Sequence, residues 1–241
     1  MTTLSVSIMG HPSRAERIEA LQARLGKRVP VSMDTGGEGA WRVGRRAWSS
    51  AGEADYHVVL QDDVLVCEDF IASAEQALWS VRHALVADHR ASTLPVCFYA
   101  NRKVVTTARE GGSSWALIPD GLWGQAICLP THLVGGMLLW CDENTRDDFY
   151  SYDARITLWA LSEGLPALVT VPSLVEHDEP SGSLMGHNNK KRVARWFIGE
   201  DVSGLPVDWS AGVYTDRIPR GGSISFDSFA KQFPGALNDG T

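Results

Sequence analysis

Two adjacent carboxylates, Asp62 and Asp63, end the apolar run Tyr56-His57-Val58-Val59-Leu60-Gln61. Residues 58–60 are β-branched or bulky and read as a central strand covered on both faces, so the two acids fall at its carboxyl end. Open α/β sheets bind ligands at that edge. A carboxylate pair there can hold a hard divalent cation through oxygen, and such a cation can clamp a diphosphate. The same residues also suit a strand that ends in a polar turn, where Asp is common.

Other side chains could join that chemistry. His11, Pro12 and Arg14 lie where a first strand meets a helix, and a helix amino terminus favours phosphate oxygens, although Arg14 could equally be a solvated first-turn residue. Arg45 and Arg46 follow a Gly-rich turn, and a guanidinium there could grip a diphosphate in bidentate fashion. Arg45 stands four residues after Trp41 and three before Trp48, the spacing of one helical face. Asp153 could take a proton from a reacting hydroxyl, or serve only as a helix N-cap, with Asp147 and Asp148 as rivals. Late in the chain stand His177 and His187, imidazoles suited to a metal such as manganese or to a structural role. The polar stretch 178–186 between them could close over a bound ligand. Lys190, Lys191 and Arg192 then form a basic run, either solvated or, in one member, turned toward an anion.

The segment Leu60-Gln61-Asp62-Asp63-Val64 resembles the metal-binding element of GT-A glycosyltransferases, in which a hydrophobic strand leads into an acidic motif followed by an apolar residue. It is most similar to the small bacterial and phage transferases, including those of lipopolysaccharide assembly, whose usual form is Leu-Glu-Asp-Asp-Val. Gln61 departs from that form by replacing an acid with an amide. Tyr150-Ser151-Tyr152-Asp153-Ala154-Arg155-Ile156 resembles their acceptor-side acidic element, and Val171-Pro172-Ser173-Leu174-Val175-Glu176-His177 resembles a later Pro-Ser-Leu-Val-x-His ending. The resemblance spans roughly the first 190 residues in order. It implies Asp63 as a direct metal ligand, Asp62 at the ribose or the metal shell, and His177 or His187 completing that shell. It further implies His11 and Arg14 in a nucleotide loop, Asp34 reading the base or ribose, and Arg45 and Lys190 on the donor phosphates. Trp123 and Gln125 would meet the acceptor, and Asp153 would be the catalytic base. The implied reaction moves a sugar from a nucleoside diphosphate donor, a UDP-sugar with Mn²⁺ or Mg²⁺, to a hydroxyl of a glycan, protein or modified nucleobase. Inversion is favoured because no second well-placed nucleophile is evident.

The elements that would position these groups alternate between strand and helix. Residues 4–9 and 29–33 read as strands around a helix over 13–25, in which Ser13 and Glu16 make a capping box and Gly26 closes the end. A helix follows the Gly-rich turn 36–39, and another spans 68–86 with Ile71, Ala74, Leu78, Val81 and Leu85 on one face. Strands over 95–100, 125–129 and 167–171 and helices over 131–140 and 153–162 complete the pattern. The Gly135-Gly136 pair is expected to admit a close backbone approach. The predicted fold is α/β, a GT-A-like, doubly wound and mostly parallel sheet flanked by helices. One domain over 1–220 is expected, with its nucleotide-sugar half in 1–110 and its acceptor half in 111–200, before a loosely held tail over 221–241.

Composition sets the bounds. A chain of 241 residues with 44% hydrophobic content suffices for one sizeable core. The net charge of −7 argues against a surface built for non-specific nucleic-acid binding. Four cysteines without Cys-x-x-Cys spacing, three of them in apolar surroundings, point to reduced thiols and a cytoplasmic location, the host cytoplasm for a phage chain. No apolar run reaches spanning length, and residues 4–9 lack a basic leader. A nucleotidyltransferase would want a Gly-rich basic loop after the first strand, which residues 10–14 match poorly. A non-catalytic binder would keep the fold without the base, and a glycoside hydrolase would need an acid pair that is not evident.

Overall fold

A computed structural model describes residues 1–83, 93–149, 151–178, 192–215 and 226–238. His187 and Lys190, both expected in the site, lie outside the described residues. Leu4–Gly10 (β1) leads through a 3-10 turn at Pro12–Arg14 into Ala15–Arg24 (α1), then Val31–Met33 (β2), Ala40–Ser49 (α2) and Tyr56–Gln61 (β3). Val64–Val66 (β4), Phe70–His83 (α3), Val96–Cys97 (β5), Lys103–Glu110 (α4), Trp115–Ile118 (β6) and Ala126–Pro130 (β7) follow. Thr131–Asn144 (α5), Tyr152–Ser162 (α6), Ala167–Thr170 (β8), Val175–His177 (β9), Val213–Thr215 (β10) and Phe226–Ala230 (α7) complete the order.

Eight strands form one sheet in the order β10-β6-β8-β5-β7-β3-β1-β2, with helices on both faces. Five strands run one way, and β7, β6 and β10 run against them. The α/β expectation therefore holds, as a mixed sheet that is mostly parallel. The antiparallel β7 sits between β3 and β5, where a doubly wound pattern would place a parallel strand. No periodicity argument gives strand direction. The short β4 and β9 leave the main sheet to pair with each other, Val64 opposite His177, and this brings a late segment beside the aspartates.

Period-two alternation decides what each face holds. Leu4, Val6 and Ile8 of β1 and Tyr56, Val58 and Leu60 of β3 pack with Ile18 and Leu21 of α1 and Phe70, Leu78 and Val81 of α3. Met9 and Val59 point the other way, onto Trp41 and Trp48 of α2 and Ile156 and Trp159 of α6. The expected capping box at Ser13 and Glu16 does not form. The Ser13 backbone N–H instead donates to His11 Nδ1 at 3.2 Å, and Arg14 occupies the α1 N-cap without a side-chain cap. Gly135 and Gly136 are exposed and meet nothing, so the expected close approach there is absent. The tail expected to be loose contains α7, and Phe229 and Phe233 pack with Phe149 against α6.

His57 is fully buried on the α2 face, between the hydroxyls of Ser5 (2.8 Å) and Ser7 (3.0 Å) and edge-on to Trp48. Burial pushes its pKa down to about 4 despite the Ala47 carbonyl beside it. The unfolded chain therefore takes up this proton near the ordinary value of about 6.5, whereas the folded chain resists until about pH 4. Stability is expected to fall between those values by at most roughly 3 kcal/mol and to stop falling from this source below them. Urea unfolding at a series of pH values checks it: His57→Gln should flatten the slope in that window, and an unchanged slope would refute the assignment.

Candidate active site

Gly10 ends β1 where an added Cβ would stand 2.5 Å from Ile18 Cδ1, so the glycine leaves room for the Ile18 tip of α1 to lie directly against the strand end. That proximity carries Arg14 onto the aspartates. Its Nη1 donates to Asp62 Oδ1 at 2.7 Å and to Asp63 Oδ2 at 2.9 Å, and all three side chains are at most 10% exposed. The His11 backbone N–H donates to Asp62 Oδ2 at 2.6 Å. On the other side, the β4–β9 pairing sets His177 Nε2 3.5 Å from Asp63 Oδ2. Burial pulls against charge on all three groups. For Arg14 the two carboxylates outweigh burial and raise its pKa; for Asp63 the His177 and Arg14 contacts outweigh it and hold the carboxyl below its ordinary value. At Asp62 burial prevails and the pKa rises.

These groups line one side of a cleft of about 890 Å³. Asp34, Trp123, Gln125, Asp153, Tyr99 and Arg192 also line it, so nine of the predicted site residues share one cavity: His11, Arg14, Asp34, Asp62, Asp63, Trp123, Gln125, Asp153 and His177. Arg45 does not. Its Nε pairs with Asp142 at 2.7 Å, and Arg46 is taken by Glu38 and the Met33 carbonyl, because the inward face of α2 carries Trp41, Val43, Ala47 and Trp48. Burial pushes the Asp34 pKa up, but its carboxylate accepts from the backbone N–H groups of Glu38 (2.7 Å) and Gly39 (3.2 Å), which organise the Gly-rich turn and together carry the pKa below its ordinary value.

The opposite wall is built on α6. Ser151, not Asp153, is the N-cap residue, and Asp153 lies in the first turn. Asp153 Oδ1 accepts from the Ser151 hydroxyl at 2.9 Å and the Ala154 N–H at 3.0 Å, while Oδ2 takes no hydrogen bond from a described residue. Trp48 Nε1 donates to the buried Tyr152 hydroxyl at 2.8 Å, and Gly44 leaves room for the Tyr152 ring. Arg155, 1% exposed, donates to the Phe149 and Arg146 carbonyls and lies over the ring of Trp41, fixing the 145–149 loop to the helix. Thr157 Oγ1 accepts from the Leu122 N–H at 3.1 Å and so holds the loop that presents Trp123 and Gly124.

Sequence reasoning missed Gln61 as a wall residue. A Cβ on Gly124 would meet Gln61 Nε2 at 2.9 Å and Asp153 Cβ at 3.5 Å, so the amide reaches across the cleft floor to the α6 wall. Strand alternation carried that signal: Gln61 follows Leu60 and turns to the α2 and α6 face. Tyr99, Asn101 and Phe233 had no local signature; the fold alone brings them to the cleft lining.

No three His, Cys, Asp or Glu side chains among the described residues converge as a preformed metal centre. The donor types of Asp62, Asp63 and His177 nonetheless suit a divalent cation, and Asp63 Oδ1 and His177 Nδ1 are buried without a hydrogen-bond partner among the described residues. No family model and no curated protein matches the chain. Among solved structures it is similar to a mutant of Drosophila β-1,4-galactosyltransferase 7 in complex with manganese, UDP-Gal and xylobiose, at 12% identity and a TM-score of 0.35 over 72% of this chain and 70% of that one. At that distance the reading of the site rests on its own geometry.

Because an added methyl at Gly44 would stand 2.3 Å from the Tyr152 ring, Gly44→Ala is expected to shift α6 and cost about 1–3 kcal/mol. Chemical denaturation checks this, and a change below half a kilocalorie would show that Tyr152 does not lock the wall.

Proposed function

We propose that the chain is a metal-dependent glycosyltransferase of the small bacterial and phage type, moving a sugar from a nucleoside diphosphate donor, a UDP-sugar, to an acceptor hydroxyl with inversion. One observation carries this reading: a single cleft joins a buried carboxylate pair and an imidazole on one wall to an available carboxylate oxygen, Asp153 Oδ2, on the other. Charge supports it. Among the described lining residues, four carboxylates, from Asp34, Asp62, Asp63 and Asp153, stand against two guanidinium groups, from Arg14 and Arg192, a balance that favours a cation beside a bound diphosphate.

Asp63 and His177, with Asp62 beside them, would hold a divalent cation, Mn²⁺ or Mg²⁺, whose charge offsets that of the leaving diphosphate. His11, Asp34 and Arg14 line the donor side, with Lys190 and His187 as further candidates from the 179–191 segment. Trp123 offers a flat apolar ring to a sugar face and Gln125 an amide to its hydroxyls. Asp153 takes the acceptor proton on Oδ2 as the acceptor oxygen bonds to the sugar carbon and the bond from that carbon to the diphosphate breaks. The acceptor is a glycan, a protein or a modified nucleobase.

A panel of nucleoside diphosphate sugars, with and without Mn²⁺, tests the reading through donor binding and turnover. Asp63→Ala should abolish metal-dependent donor binding, whereas Asp153→Asn should keep binding and lose about 10²-fold or more in turnover. If no nucleotide sugar binds under any metal condition the reading falls; full turnover by Asp153→Asn would remove only the assigned base.

A further inference from the structure

We propose that Arg14 is a built-in occupant of the cation position: its guanidinium neutralises the Asp62–Asp63 pair in the unliganded protein and must leave before a divalent cation can bind there. The inference rests on the transferase reading above and concerns how that site is loaded.

A single nitrogen, Nη1, lies within hydrogen-bond distance of one oxygen from each carboxylate. That bridging position is where a cation shared by the two acids would sit. Two cations at such a spot repel each other strongly in a buried setting, so guanidinium and metal exclude one another. The carboxylates would not be stranded by its departure. Asp62 keeps the His11 backbone N–H, and Asp63 keeps His177 at its edge, with Oδ1 still to be satisfied. Arg14 also has somewhere to go. It is itself part of the cleft lining, at the junction of the 3-10 turn and α1, where its backbone departs from helical geometry. A guanidinium swung into that cleft would meet the donor diphosphate, the anion its planar fork grips best. Metal and donor thereby favour the same displaced state, and each strengthens binding of the other.

The test measures Mn²⁺ binding by the loss of the free-ion EPR signal, without nucleotide, for the wild type, Arg14→Gln and Arg14→Lys, each checked for folding by near-UV circular dichroism. Arg14→Gln is expected to bind Mn²⁺ about tenfold more tightly than wild type, a coupling in the usual range, with Arg14→Lys between the two because it keeps the charge but loses the fork. If Arg14→Gln does not fold, Arg14→Lys decides: tighter binding than wild type supports the proposal, and equal or weaker binding overturns it. A folded Arg14→Gln that binds Mn²⁺ no more tightly than wild type also overturns it, while leaving the transferase reading intact if the wild type binds a nucleotide sugar. Absence of Mn²⁺ binding in every variant overturns both this proposal and the metal part of that reading.

Discussion

Two carboxylates cannot be buried side by side at a strand end without a compensating charge, and the placement of α1 beside β3 meets that requirement. Removing one partner of such a buried cluster typically costs about 3–5 kcal/mol, because the remaining charge stays out of water. Arg14 can serve both acids only if α1 starts directly over the end of β3. The parallel register of β1 and β3, with Met9 opposite Gln61, sets the strand ends level, and Gly10 leaves room there for the Ile18 side chain of α1. The apolar stripe of α1 then packs on β1, so hydrophobic burial and charge compensation place the helix in the same position.

The far wall answers to different interactions. α6 is tied to α2 through the Tyr152 hydroxyl and Trp48, to the 145–149 loop through Arg155, and to the Trp123 loop through Thr157. None of these contacts touches the aspartates. Arg155 is buried with carbonyls, a hydroxyl and aromatic faces as partners, and burial lowers its pKa in spite of nearby acids. A guanidinium in that setting donates along fixed directions to several carbonyls at once, which suits the holding of an irregular loop. The cleft is thus bounded by two walls anchored separately to one sheet.

The sequence made the near wall easy to read and the far wall hard. An apolar run ending in Asp62-Asp63 predicts a strand end with acids, and the stripes of α1 and α3 predict their packed faces. Asp153 was visible as an acid near a helix start, and its hydrogen bonds to Ser151 and Ala154 are local, but only the fold brings the distant Gly124 beside it. The antiparallel direction of β7, the departure of β4 to pair with β9, and α4 with β6 depend on long-range pairing that local patterns do not encode. Arg14 and Arg45 show the same gap in another form. Both are arginines on segments that follow a strand of the sheet, Arg14 at the start of α1 and Arg45 within α2, yet the first is drawn inward by two acids and the second outward by Asp142, a residue 97 positions away.

Gln61 bears on why this cleft carries an amide where the resembling motif has an acid. The residue turns to the side of the cleft where Gly124 lies, while Asp62 and Asp63 face Arg14. A glutamate there would add a fifth carboxylate to the four that, with two guanidinium groups, are found among the described lining residues of the cleft. Like charges so placed raise one another's pKa and oppose ionisation. The amide keeps a hydrogen-bonding arm at the same place without that repulsion, and it can both donate and accept, which suits a sugar hydroxyl. Gln61 thus gives the cleft lining a neutral hydrogen-bonding group beside Gly124.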